Sequence, residues 1–133
     1  MCQCHLVKEN IEAGAEFLRD LSDDIPVSVA CWVKPAESNS QYLYIASDDI
    51  NDANIRDAYG EVARTYQNSR SPWLDLFQIK LINSSDPIAR DAIAYRDRFP
   101  TNVGMRYPGT SIGGLGIDEA YIYPPIPALA AAP

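Results

Sequence analysis

Residues 26–47 read PVSVACWVKPAESNSQYLYIAS, two runs rich in β-branched and aromatic residues around a polar connection. At this length that composition favours strands over helix. Strand side chains alternate between faces. Val27, Val29, Cys31 and Val33 therefore share one face of the first strand, and Ser28, Ala30, Trp32 and Lys34 take the other. On the return, residues 41–46, Leu43 and Ile45 share a face opposite Tyr42 and Tyr44. Pro35 cannot donate to a ladder, and Glu37-Ser38-Asn39-Ser40 is loop chemistry, so the pair is a hairpin. Matching the apolar sides places Val29, Cys31 and Val33 with Leu43 and Ile45. The expected opposite face then carries Trp32, Lys34, Tyr42 and Tyr44.

Upstream, Ile11, Ala15, Phe17, Leu18 and Leu21 form a stripe at helical spacing between Lys8 and Ser22, with acidic residues elsewhere. Gly14 sits inside this helix, at a cost of about 1 kcal/mol relative to alanine. Downstream, Ile55, Ala58, Tyr59, Val62, Ala63 and Tyr66 follow the i, i+3, i+4, i+7 pattern of a core-facing helix. This stripe is expected to lie against Val29, Cys31, Val33, Leu43, Ile45 and Ile79. A third strand is read over 74–83, with Phe77, Ile79 and Leu81 on one face. Asp86-Pro87 then starts a third helix, as N-cap and first helical residue, which Pro100 closes.

The last third reads as a hairpin: Val103, Met105 and Tyr107 pair with the run ending Ala120-Tyr121-Ile122-Tyr123, across a glycine-rich loop over 108–118. The order αββαβαββ implies an α+β fold, a small two- or three-layer sandwich. Its sheet has about five strands, mixed or mostly antiparallel, with three helices. Residues 1–123 form one globular domain, and residues 124–133, PPIPALAAAP, form a Pro/Ala-rich tail.

Of the 133 residues, 47% are hydrophobic, enough to build a core, and the net charge is −7. That balance disfavours a nucleic-acid backbone as partner, which calls for a basic footprint. No apolar run approaches a membrane span, and the polar amino terminus does not read as a signal peptide. Three cysteines, one in mid-strand, do not suggest a disulfide framework, so a cytoplasmic setting is expected.

Motifs that carry chemistry are weak. Cys2, Cys4 and His5 are metal-binding types, but their spacing is wrong for a zinc knuckle, and no metal or other cofactor is assigned. The run from Asp48 to Asn54 resembles a calcium loop, yet Ala53 and Tyr59 stand where Gly and Glu are needed. It reads better as a helix start, capped by Asp49 or Asp52. Gly109-Thr110-Ser111-Ile112-Gly113 matches G-x-S-x-G without the strand-to-helix turn that exposes a nucleophile. Nor does a phosphate cradle emerge from these glycines, since no Gly-Lys-Ser/Thr follows. No catalytic residue is assigned.

The expected binding surface is therefore the second sheet face: Trp32, Lys34, Tyr42, Tyr44, Lys80, Arg106 and Tyr121, with Gln78 and Tyr123 alongside and Ser111 near its edge. Tyr, Trp and Arg are enriched at binding hot spots. The competing expectation is that a helix covers this face. The function expected is a non-catalytic protein-binding or regulatory module of a bacterial-type cytoplasm, with a protein partner or self-association. The alternative is a small enzyme holding an anionic substrate on that basic, aromatic face.

Overall fold

The computed structural model describes residues 7–68, 70–99 and 102–126. Cys2, Cys4, His5, Pro100 and the tail beyond residue 126 lie outside them. Three α-helices, α1 (Lys8–Leu21), α2 (Ile55–Asn68) and α3 (Pro87–Arg98), flank six strands: β1 (Val29–Pro35), β2 (Tyr42–Ser47), β3 (Ile79–Asn83), β4 (Met105–Arg106), β5 (Ser111–Ile112) and β6 (Leu115–Ile122). The main sheet runs β3-β2-β1-β6-β4, with β5 paired on β6. Only β2 and β3 are parallel, joined through α2 as a parallel pair requires. The fold is the expected α+β class with a mixed sheet.

The register between β1 and β2 differs from the expectation. Trp32 pairs with Leu43, Ala30 with Ile45, and Cys31 with Tyr44. Paired residues share a face, so Leu43 and Ile45 lie with Trp32 rather than with the valines. A one-residue change of phase between two strands exchanges all the faces of one against the other. Neither face is left free. Ala30, Trp32, Leu43, Ile45, Ile79, Leu81 and Tyr123 form a core with Phe17, Leu18 and Leu21 of α1 and Val62 of α2. Val29, Cys31, Val33, Ala46, Ala120 and Ile122 form a second core with Ala89 and Ala92 of α3. The stripe of α2 thus meets Leu43, Ile45 and Ile79 as expected, but Val29, Cys31 and Val33 belong to α3. Tyr59 leaves the stripe: it is 38% exposed, and its hydroxyl accepts from the Leu81 amide at 3.0 Å on the sheet's edge strand.

The three layers are joined at tight places. Trp32 Nε1 donates to Tyr123 Oη at 2.9 Å, and that hydroxyl donates to the Ile11 carbonyl at 2.6 Å, tying β1 and the end of β6 to α1. Burial holds the Tyr123 phenol well above its usual range, against the opposing pull of the Trp32 N–H. Gly14 makes this possible, because a Cβ there would overlap Tyr123 Oη and stand 2.9 Å from Trp32 Nε1. The chain stays packed beyond Tyr123: Pro124 is buried, and Ile126 rests on the first core.

The glycine-rich loop is more ordered than a loop. Gly113 and Gly114, with φ of 58° and 84°, turn β5 into β6 as a two-residue hairpin. Asp86 caps α3 by accepting from the Ile88 amide at 2.9 Å, with Pro87 in the first turn, as the sequence implies. In the turn leading into α2 the amides are taken by an asparagine: Asn51 Oδ1 accepts from Ala53 and Asn54, where an aspartate cap was expected.

Candidate functional site

The residues expected on one surface are divided by the register. Trp32 is fully buried under α1, beside Tyr123, and Tyr121 is half-buried with Arg106 as its cross-strand neighbour. Tyr42, Tyr44 and Lys80 lie on the opposite face, where Tyr44 pairs with both Cys31 and Lys80. Tyr44 packs into the second core, and burial raises its phenol pKa. Ser111 is exposed in the β5 arm, away from both sets. Lys34, Lys80 and Arg106 therefore do not converge on one hollow.

Two of those cations have carboxylate partners. Arg106 pairs with Glu119. The Lys34 ammonium, on a side chain about 10% exposed, meets Asp118 Oδ2 at 2.8 Å. A β-bulge produces this contact: Lys34 pairs with Glu119 and Pro35 with Ile117, leaving Asp118 as the extra residue. Such bulges re-aim side chains. The Lys34 hydrogen bond holds the Asp118 carboxyl below its ordinary value. A depressed carboxyl pKa stabilises the fold above the unfolded value and loses that contribution as pH falls through the folded one. Asp118→Asn should therefore be less stable than wild type at neutral pH. The two melting curves should draw together as pH falls below about 4, the ordinary carboxyl value, and meet once pH has passed below the depressed folded value. A difference that persisted unchanged in acid would rule out the pair as its source.

The surface with aromatic side chains outward is elsewhere, in the segment between α2 and β3. The expected strand over 74–83 begins only at Ile79, and Leu76–Gln78 form a 3₁₀ turn. Asp75 Oδ1 accepts from the Phe77 amide at 2.9 Å, and Gln78 Oε1 accepts from the Asp75 amide at 2.8 Å. This reciprocal pair is a capping box, and it redirects the chain so that Phe77 points outward, 85% exposed. Upstream, Leu74 is buried as an anchor, and its carbonyl accepts from Tyr66 Oη at 2.9 Å. Trp73 beside it is 47% exposed.

Side-chain amides tie this segment to the sheet and to α1. Asn10 Nδ2 donates to the Trp73 carbonyl at 2.9 Å, and Asn10 Oδ1 accepts from Gln41 Nε2 at 3.2 Å. Gln78 Nε2 donates to the Gln41 carbonyl at 3.2 Å. With the Asn10 amide nitrogen committed to Trp73, Gln41 must present its own nitrogen to Asn10. Gln41 Oε1 is thereby left buried without a hydrogen-bond partner. Such an atom costs about 1–3 kcal/mol.

These residues enclose a cleft of about 600 Å³, walled by Trp73, Phe77 and Tyr42 and floored by Asn10, Gln41 and Gln78. Phe77 separates it from an apolar hollow of about 320 Å³, bounded by Tyr59, Leu76 and Ile79. Lys80 stands beside this second hollow, 5.2 Å from the centre of the Tyr42 ring. Of the residues expected at a binding surface, Tyr42, Gln78 and Lys80 are at this site; Trp73, Phe77 and Asn10 were not anticipated. The sequence signal for them is Asp75-x-x-Gln78, the spacing of a cap, inside a run otherwise read as strand.

The chemistry available here is recognition: aromatic faces, fixed amides and one carboxylate on a braced scaffold. Among the described residues no group of histidine, cysteine or carboxylate side chains could hold a metal ion. Nor is any described helix long and apolar enough to cross a membrane. Comparisons with protein-family models, curated proteins and solved structures return no match.

Proposed function

We propose that the protein is a non-catalytic binding or regulatory module of a bacterial-type cytoplasm, and that its protein partner docks on the face around Trp73, Phe77 and Tyr42. The observation carrying this reading is Phe77, an aromatic ring 85% exposed on a turn held by a capping box. An aromatic anchor whose backbone is fixed before binding loses less freedom when its ring inserts into a pocket. The hollows on either side of the ring admit a partner's side chains in return. A free, buried Cys31, whose thiol burial pushes up to about 12, suits a reducing compartment.

The test compares wild type with Phe77→Asp as bait in native lysate, followed by titration of whatever is retained. So exposed a residue should alter stability by no more than about 0.5 kcal/mol. Binding should weaken about 30-fold or more if Phe77 is a hot spot. Equal retention by both baits, or a wild type that holds nothing and stays monomeric, refutes the reading.

A further inference from the structure

Resting on that reading of the Phe77 face, we infer that the segment received by the cleft presents an arginine side chain. Charge and hydrogen-bonding capacity carry the choice. Among the described residues Asp75 is the one charged residue lining the cleft, and the whole chain bears a net charge of −7. Asp75 Oδ1 takes the Phe77 amide, and the rest of its carboxylate lies on an exposed turn. Around it stand the Trp73 and Phe77 rings.

The cleft thus offers π-faces and a carboxylate that is both acceptor and negative charge. A guanidinium is the complement: planar, permanently charged, five donors and no acceptor, and suited to stacking on aromatic rings. Arginine also desolvates more readily than lysine, which matters in a recess. Lys80, the nearby cation, is held over the Tyr42 ring, which leaves the Trp73 side of the cleft for an incoming charge. A second copy of this chain fits less well, because two bodies of charge −7 repel. A basic partner is drawn in by the same field.

The probe is an acetylated, amidated glycine pentapeptide with one central arginine, titrated while the Trp73 indole and Phe77 amide resonances are followed by NMR. Its citrulline counterpart has the same shape without the charge, and a lysine counterpart has the charge without the plane. The arginine peptide should shift both resonances saturably and bind about tenfold more tightly than citrulline, with lysine between them. Asp75→Asn keeps an acceptor for the Phe77 amide, so the turn persists while the arginine preference falls. Equal binding of the arginine and citrulline peptides overturns the inference, as does an arginine preference unchanged in Asp75→Asn. If no peptide binds while partner capture still depends on Phe77, the inference falls and the protein-binding reading stands. If capture ignores Phe77, that reading falls by itself.

Discussion

Trp32→Ala should destabilise the protein by about 3–5 kcal/mol, the range for truncating a large aromatic in a core. Domains of this size are stable by about 5–15 kcal/mol in total, so the variant should sit at or near the edge of folding. The side chain is wholly buried between β1 and α1, and its N–H is a partner of the Tyr123 hydroxyl. Removing it opens a cavity beneath α1 and leaves the Tyr123 oxygen with only its bond to Ile11. Trp32→Phe separates the two contributions, since it keeps most of the volume and loses the donor. Urea denaturation of the three proteins measures both. A loss below about 1 kcal/mol for Trp32→Ala would mean that this ring stands on an open surface.

Gly14→Ala should also destabilise, by about 2–4 kcal/mol, although helix propensity alone predicts a gain of about 1 kcal/mol. The added methyl would overlap the Tyr123 hydroxyl and crowd the Trp32 indole nitrogen. Neither ring has room to retreat, because Tyr123 is 2% exposed and Trp32 is not exposed at all. Overpacking of this kind costs about 1–3 kcal/mol. Displacing a buried hydroxyl from its partners adds about 1–3 kcal/mol more. The control is Gly60→Ala in α2, where nothing beyond the adjacent residues and the helix's own backbone lies within 4 Å of the added carbon. There the propensity gain should appear undiminished. If Gly14→Ala also stabilised the protein, the Trp32–Tyr123–Ile11 contact would be looser than its distances indicate.

Local patterns carried the secondary structure well. Three helices were legible from their stripes, the start of α3 from Asp86-Pro87, and the central hairpin from its β-branched runs. What alternation cannot supply is the phase of one strand against the next. Each strand announces two faces, but which face of β1 joins which face of β2 depends on the geometry of the connection between Pro35 and Tyr42. Choosing the pairing that made one side wholly apolar was reasonable for a sheet covered on one side only. Here helices cover both sides, so aromatic residues such as Trp32 and Tyr123 serve as core on the supposed binding face. The same error hid the cleft. Phe77 was assigned to a strand because it alternates with Ile79 and Leu81, whereas the Asp75 cap ends that alternation two residues earlier. Trp73 and Asn10 come together only through tertiary contact, from positions 63 residues apart.

The central strand β1 lies between β2, which follows it at once, and β6, which arrives some ninety residues later. The Trp32–Tyr123 bond spans 91 residues. On the ribosome, a nascent chain can form the β1–β2 hairpin and dock α1 and α2 while one side of β1 still has no neighbour. Until the final strand emerges, that side offers unpaired amides and carbonyls and the unclosed half of both cores. Such an intermediate is a template for another chain's strand. The final closure also depends on long-range contacts, the kind that slow folding. The late insertion of β6 thus makes synthesis itself the period of greatest vulnerability to aggregation, and the interval that a chaperone at the ribosome would have to cover.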